Sequence, residues 1–206
     1  MSPRDILRWQ SAAVTTGVYK IGYGPKRLAD FDTTAAPTIQ PAQLAALACG
    51  AYLDAGEPVV LLGDSGTGKS HLLISLGLAA CEQGKRVRYV TTAKLVNELI
   101  EAADERTLSR VVGRYGRLDL LLLDELGYVQ IDPRGAELLF QIITEREERA
   151  SIGIATNLPF SEWGTVFPDP RLVADLPPVR WRLGYWDSSI IGGFPSGPCS
   201  WSFPPL

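Results

Sequence analysis

Between Glu57 and Asn157 short apolar runs alternate with longer stretches in which apolar residues recur every three or four positions. Runs of that length, bounded by glycine or charge, predict buried strands at residues 59–62, 87–90, 119–123 and 152–155. The intervening periodicity predicts helices at 68–83, 93–102, 107–115 and 135–149, with Gly84 closing the first and a further helix upstream at 41–55. Strands that are apolar throughout and separated by amphipathic helices predict an α/β fold with a central parallel sheet covered on both faces.

The ends differ from this middle. Residues 1–25 show no periodicity, and Gly22, Gly24 and Pro25 mark a loop before Lys26. From Ser188 to Leu206 no residue is charged, and Trp181, Trp186 and Trp201 crowd the last part of the chain. A run of Pro, Gly, Ser and aromatics is what a shifted reading frame yields, and 176–206 is expected to be an atypical tail, disordered or frameshift-derived.

Composition narrows the function. A chain of 206 residues, 46% hydrophobic and 21% charged, can bury one substantial core. Its net charge of -3 excludes a protein that coats nucleic acid over its whole surface, so any contact with DNA must be local. Cys49, Cys81 and Cys199 are odd in number and far apart, which fits neither a disulfide framework nor a cysteine-paired zinc site. His71 is the single histidine, which excludes multi-histidine metal chemistry and leaves Ser-His-Asp or Cys-His chemistry only the histidine beside the phosphate loop, so these are set aside. No stretch approaches the roughly 20 apolar residues of a membrane span, and a soluble, cytoplasmic protein is expected.

The chemistry lies at strand ends. Gly63-Asp64-Ser65-Gly66-Thr67-Gly68-Lys69-Ser70 fits G-x-x-x-x-G-K-[ST] and stands between a predicted strand and a predicted helix, the context a P-loop requires. Its glycines let backbone N–H groups turn toward the phosphates of ATP, and Lys69 neutralises charge on the β and γ phosphates. Ser70 supplies a hydroxyl to Mg²⁺. His71 follows in the first helical turn, where it either touches a phosphate or, as the heavier reading has it, packs.

Leu120-Leu121-Leu122-Leu123-Asp124-Glu125 brings two carboxylates to the end of an apolar strand, the Walker B arrangement. Asp124 is the candidate magnesium ligand, through its water shell, and Glu125 the candidate base that polarises the attacking water. Thr156-Asn157 ends the following strand. Asn157 is a candidate sensor of the γ phosphate, although Thr-Asn near Pro159 also reads as turn chemistry.

The run DLLLLDELGYVQIDPRGAELLFQIITEREER, followed by IATNLPFSEWGTVFPDPRL, resembles the IstB-like ATP-binding proteins, AAA+ helpers of insertion-sequence transposition related to DnaC-type helicase loaders. Upstream the resemblance extends through GKRVRYVTTAKLVNEL and GDSGTGKSHLLISLGLAAC to KRLADFD, so it covers residues 26–175. It implies an AAA+ three-layer P-loop fold, self-association on double-stranded DNA and a cognate transposase as partner. By position it assigns residues 63–70 to nucleotide, Asp124 and Glu125 to Walker B, and Asn157 to the sensor. After Asp175 the family's further helix with its Asp-Arg pair and closing strand give way to LPPVRWRLGYW, and neither Arg171 nor Arg180 stands where the arginine finger would. The family's helical, charged N-terminal domain is likewise replaced by 1–25.

Arg106, Arg110, Arg114 and Arg117 recur at spacings of four, four and three, which predicts one helical face and, with Lys94, a basic stripe. Such a stripe either binds DNA phosphates or forms a solvated face paired with Glu98, Glu101, Asp104 and Glu105. The expected function is a magnesium-dependent ATPase that assembles on DNA and assists a transposase, provided the missing finger is dispensable. The alternatives are a DnaC-like helicase loader in DNA replication and a nucleotide-binding remnant without productive hydrolysis. A small-molecule kinase would carry an Arg-rich lid insertion that the sequence lacks.

Overall fold

The computed structural model describes residues 27, 28, 31, 39, 41–146 and 149–167, and the backbone of 182–185. The four predicted strands form as β1 (Val59–Leu62), β2 (Val87–Thr91), β3 (Leu120–Leu126) and β4 (Ser151–Thr156). A fifth, β5 (Arg182–Tyr185), pairs in parallel with β1 from Val59 opposite Arg182 to Leu62 opposite Tyr185. It falls within the segment expected to be a tail, and Arg182 and Gly184 interrupt the apolar run that would have marked it in the sequence. All pairings are parallel and the order is β2-β3-β4-β1-β5. The rest of 176–206, the segment 1–25, Arg171 and Arg180 lie outside the described residues.

The helices are α1 (Pro41–Ala48), α2 (Ala51–Asp54), α3 (Lys69–Glu82), α4 (Thr92–Asp104), α5 (Leu108–Gly116) and α6 (Pro133–Arg146). The single helix predicted at 41–55 is broken at Gly50, whose φ of 76° is left-handed. Gln83, just beyond α3, donates to the Ala48 carbonyl at 3.0 Å and so satisfies the end of α1. Gly84 does close α3: its N–H reaches the Cys81 carbonyl at 2.9 Å and that of Lys85 reaches Ala80 at 3.1 Å, the Schellman pattern.

Period-two alternation sorts the strand residues between two cores. Val59, Leu61, Val87, Leu120 and Leu122 pack with Leu72, Leu73 and Leu76 of α3 and with Leu44 and Leu53 of α1 and α2. Val60, Val90, Leu121, Leu123, Ile152 and Ile154 pack instead with α4, α5 and α6, through Leu95, Leu99, Val111, Tyr115 and Leu139. Helices therefore cover both faces of one sheet, the three-layer arrangement the apolar runs predicted. Each fully buried Leu or Val contributes about 1.5–3 kcal/mol.

Polar clamps hold the amino ends of the strands. Buried Arg146 donates to the carbonyls of Tyr115 at 2.6 Å, Leu118 at 3.1 Å and Ser151 at 2.8 Å, joining α5, the turn after it and β4. Asp119 accepts a two-pronged bond from Arg86 at 3.0 and 2.9 Å together with the Arg86 backbone N–H at 2.7 Å. The opposite, carboxyl edge is left for chemistry. Among the described residues no helix is long and apolar enough to cross a membrane.

Candidate functional site

The P-loop leaves the carboxyl end of β1 and enters α3. Gly66 and Gly68 have φ of 82° and 88°, left-handed values that glycine adopts without the strain a residue with a Cβ would carry. Thr67 Oγ1 donates to the Asp64 carbonyl at 2.8 Å, and Asp64, Ser65 and Gly66 form an exposed crest. Buried Lys69 lies under that crest, its Nζ donating to the carbonyls of Gly63 at 2.7 Å and Asp64 at 2.6 Å. Ser70, half-buried, follows in the first turn of α3. The ring of His71 meets Phe31 edge-on at 5.6 Å, and the His71 carbonyl accepts from Ser75 Oγ at 2.9 Å.

The two acids stand in a β-bulge and not beyond the strand end. Pairing of β3 with β4 runs to Leu123 opposite Ile154 and resumes at Leu126 opposite Thr156. Asp124 and Glu125 thus share Ala155 as their facing residue, and the strand predicted to stop at 123 continues through both carboxylates. Glu125 takes a φ of 62°, unusual for a residue with a side chain, and is exposed. Asp124 is buried and held from three directions. Its Oδ1 accepts the Glu125 N–H at 2.9 Å, its Oδ2 accepts the Tyr89 hydroxyl, and its carbonyl accepts Thr92 Oγ1 at 2.9 Å. Burial first, then Asp124 and Glu125, push the Tyr89 hydroxyl above its ordinary range and keep it a donor.

Tyr89 and Thr92 escaped the sequence reading. No motif spacing marks them; the available signal was an aromatic residue near the end of β2, the strand paired with Walker B, and a hydroxyl at the start of the helix that follows it.

Asn157 emerges, exposed, at the end of β4, which runs between β3 and β1. The Gly63 N–H donates to the Thr156 carbonyl at 3.2 Å, so the P-loop begins beside the strand end that carries Asn157. Thr156 Oγ1 donates to Leu126 O at 2.8 Å and accepts the Leu158 N–H at 3.0 Å, while Trp163 Nε1 donates to Leu158 O at 3.1 Å. Both neighbours of Asn157 are thereby tied down, one of them to the bulged strand. In a parallel sheet β1 and β3 lie two strand spacings apart, about 10 Å, and P-loop, acids and Asn157 occupy one edge.

Among the described residues no group of three or more His, Cys, Asp or Glu could hold a metal ion by itself. The Ser70 hydroxyl and the Asp124 carboxylate are hard oxygen donors that fit Mg²⁺ taking its remaining ligands from phosphate and water.

The basic residues do not share one helical face. Arg106 lies in the turn between α4 and α5 with a φ of 58°, and Arg117 is the C-cap of α5, so only Arg110 and Arg114 belong to that helix. A periodicity argument cannot register that left-handed break. Arg114 is paired with Glu98 of α4, which also accepts from Arg88 at 3.2 Å and from the Tyr115 hydroxyl at 2.7 Å. Arg88 and Arg114 both approach the Tyr115 ring, at 5.0 and 5.6 Å. Lys94, Arg106, Arg110 and Arg117 are exposed.

The family model described as "IstB-like ATP binding protein" matches residues 11–176. An insertion sequence ATP-binding protein of Sinorhizobium fredii is 42% identical over 148 residues, 71% of this chain and 50% of that protein. The ATP-binding protein of insertion sequence IS5376 from Geobacillus stearothermophilus is 35% identical over 170 residues, 82% of this chain and 67% of that protein. The chain thus spans about half the length of the first of these relatives. Among solved structures, the DnaC helicase loader superposes with a TM-score of 0.61 at 19% identity, covering 85% of this chain and 97% of that one. The replication initiator DnaA bound to AMPPCP and single-stranded DNA gives 0.63 at 22% identity, covering 80% of this chain and 51% of that one.

Proposed function

The chain belongs to the IstB-like ATP-binding proteins and has the AAA+ P-loop fold, and from that premise we propose that it is a magnesium-dependent ATPase that assembles on double-stranded DNA to assist a transposase. The observation that carries the catalytic part is the bulge: it sets a buried, fully held Asp124 beside an exposed Glu125 at the edge where the P-loop begins.

In this reading the backbone N–H groups of the P-loop and Lys69 bind the phosphates. Lys69 must exchange the Gly63 and Asp64 carbonyls for phosphate oxygens, so binding reorders the crest of the loop. Ser70 and Asp124 hold magnesium, which when bound draws charge from the phosphate oxygens. Glu125 takes the proton of the attacking water and Asn157 orients that water or the γ phosphate. The left-handed backbone at Glu125 is strain of the kind that sites retain to aim a side chain.

Insertion-sequence relatives support a transposase as partner, and the exposed Lys94, Arg106, Arg110 and Arg117 are the candidates for DNA phosphate. A cytoplasmic location accords with both partners. The likeness to the helicase loader is one of fold and does not by itself favour replication.

The test is phosphate release from ATP by the full chain, with and without duplex DNA, for the unsubstituted protein and Glu125→Gln. Turnover lost in Glu125→Gln with ATP binding retained supports the assignment. Equal turnover in the two proteins rejects it.

A further inference from the structure

We infer that Tyr89 is a positioning residue that holds the magnesium-binding carboxylate of Asp124 in place, an inference that rests on the magnesium reading given above.

The argument begins with register. In the β2–β3 pairing Thr91 stands opposite Asp124, and Tyr89 is two residues earlier on β2. Residues two apart on a strand project from the same face, so Tyr89 lies diagonally behind the acid, within reach of a long side chain. Its hydroxyl closes that diagonal by donating to Asp124 Oδ2. Phe at this position would keep the ring and lack the donor.

The chemistry of the carboxylate gives the bond its consequence. An ionised carboxylate offers about four acceptor sites over its two oxygens. The Glu125 N–H takes one on Oδ1 and Tyr89 one on Oδ2, which fixes the plane of the group and leaves one site on each oxygen for a metal's water shell. A buried carboxylate group needs such donors, and the cation of the P-loop, Lys69, donates to the Gly63 and Asp64 carbonyls. Without Tyr89, Oδ2 loses its donor and the carboxylate its orientation. Tyr89 thus acts on magnesium through Asp124, as partners of metal ligands commonly do.

The experiment compares the affinity of the full chain for AMPPCP with Mg²⁺ and with EDTA, in the unsubstituted protein and in Tyr89→Phe. The ratio of the two affinities isolates what magnesium adds. Tyr89→Phe is expected to keep its metal-free affinity within about two-fold and to lose roughly ten-fold of the gain from magnesium. Adding Tyr89→Phe to Asp124→Asn should remove nothing more.

An unchanged magnesium gain in Tyr89→Phe overturns the inference while leaving the magnesium reading intact. Equal losses with and without metal overturn it too, since they mark a merely structural role. A further loss in the Asp124→Asn background overturns the route through Asp124. No magnesium gain in the unsubstituted chain rejects the underlying reading itself, and the inference with it.

Discussion

Gly127 and Leu158 are packed so closely that a Cβ on the glycine would stand 2.6 Å from Leu158 Cγ and nearer still to its Cδ1. The contact joins the residue just after β3 to the residue just after Asn157, so the exit of the Walker B strand and the candidate sensor are mechanically one unit. Gly127→Ala must displace Leu158 and also place a side chain at a φ of 88°. Overpacking and left-handed strain together are expected to cost roughly 1–3 kcal/mol, read as a lower melting temperature. If Asn157 acts on the γ phosphate, steady-state hydrolysis should fall by roughly ten-fold while ATP affinity, which rests on the P-loop, stays within a few-fold. Full turnover in Gly127→Ala would separate the packing from the chemistry.

Walker A was legible because its chemistry requires a fixed spacing and a strand-to-helix context that can be read locally. The Asp-Glu pair was legible as a motif but not as a bulge, since the extra residue shows only when β3 is laid against β4. The divergent surroundings of Asp124 and Glu125 depend on Tyr89 and Thr92, which come from the neighbouring strand and the helix after it. The single helical face of the arginines is corrected for a related reason: their spacing of four, four and three fits continuous helix, whereas Arg106 stands in the left-handed turn between two helices and Arg117 at the end of the second. Local pattern carried elements and motifs; pairings across the sheet carried the geometry.

Arg146 gives a stability prediction independent of nucleotide. Its guanidinium is buried, and burial outweighs the field of Asp119 in drawing its pKa down to about 10, so it stays charged at neutral pH. It serves the carbonyls of Tyr115, Leu118 and Ser151. Arg146→Met would fill much of the space yet strand all three acceptors, with an expected loss of about 3–5 kcal/mol in denaturant unfolding. AMPPCP affinity should hold under conditions where the variant is folded, because the clamp lies at the edge opposite the P-loop.

Asp119 gives a pH prediction. The Arg86 side chain, and after it the Arg86 backbone N–H, outweigh desolvation and hold its pKa at about 2, against 3.8 for the ordinary carboxyl. The folded pKa is the lower one, so the unfolded chain binds more protons between the two values and stability falls as pH falls there. The contribution is whole above about pH 5 and fades through that window. Asp119→Asn should therefore melt below the unsubstituted protein at neutral pH, with the gap closing as pH drops from 4 toward 2. Because Asp119 is a third exposed and Arg86 mostly so, the gap should be a few degrees at most and should shrink in salt. A gap that does not change with pH would mean that the pair adds nothing electrostatic.

Arg106 offers a way to separate stability from DNA contact in one position. Its N–H bonds Ala103 O at 3.2 Å and that of Thr107 bonds Ala102 O at 2.7 Å, the same two-bond closure that Gly84 provides for α3, but with an arginine in the left-handed place. Glycine there removes the Cβ strain, so Arg106→Gly should raise stability by about 0.5–1 kcal/mol. If Arg106 also touches a phosphate, the same variant should bind duplex DNA more weakly, a loss that cannot be blamed on unfolding. Arg110→Ala should act similarly on affinity, and each lost contact should reduce the slope of log affinity against log salt by about 0.9. Arg114→Ala is expected to do less to DNA, since that side chain is already committed to Glu98. The measurement is duplex binding across a salt series beside thermal melting. A stabilised Arg106→Gly with undiminished DNA affinity, together with an unchanged slope in Arg110→Ala, would remove this surface from the DNA-binding proposal.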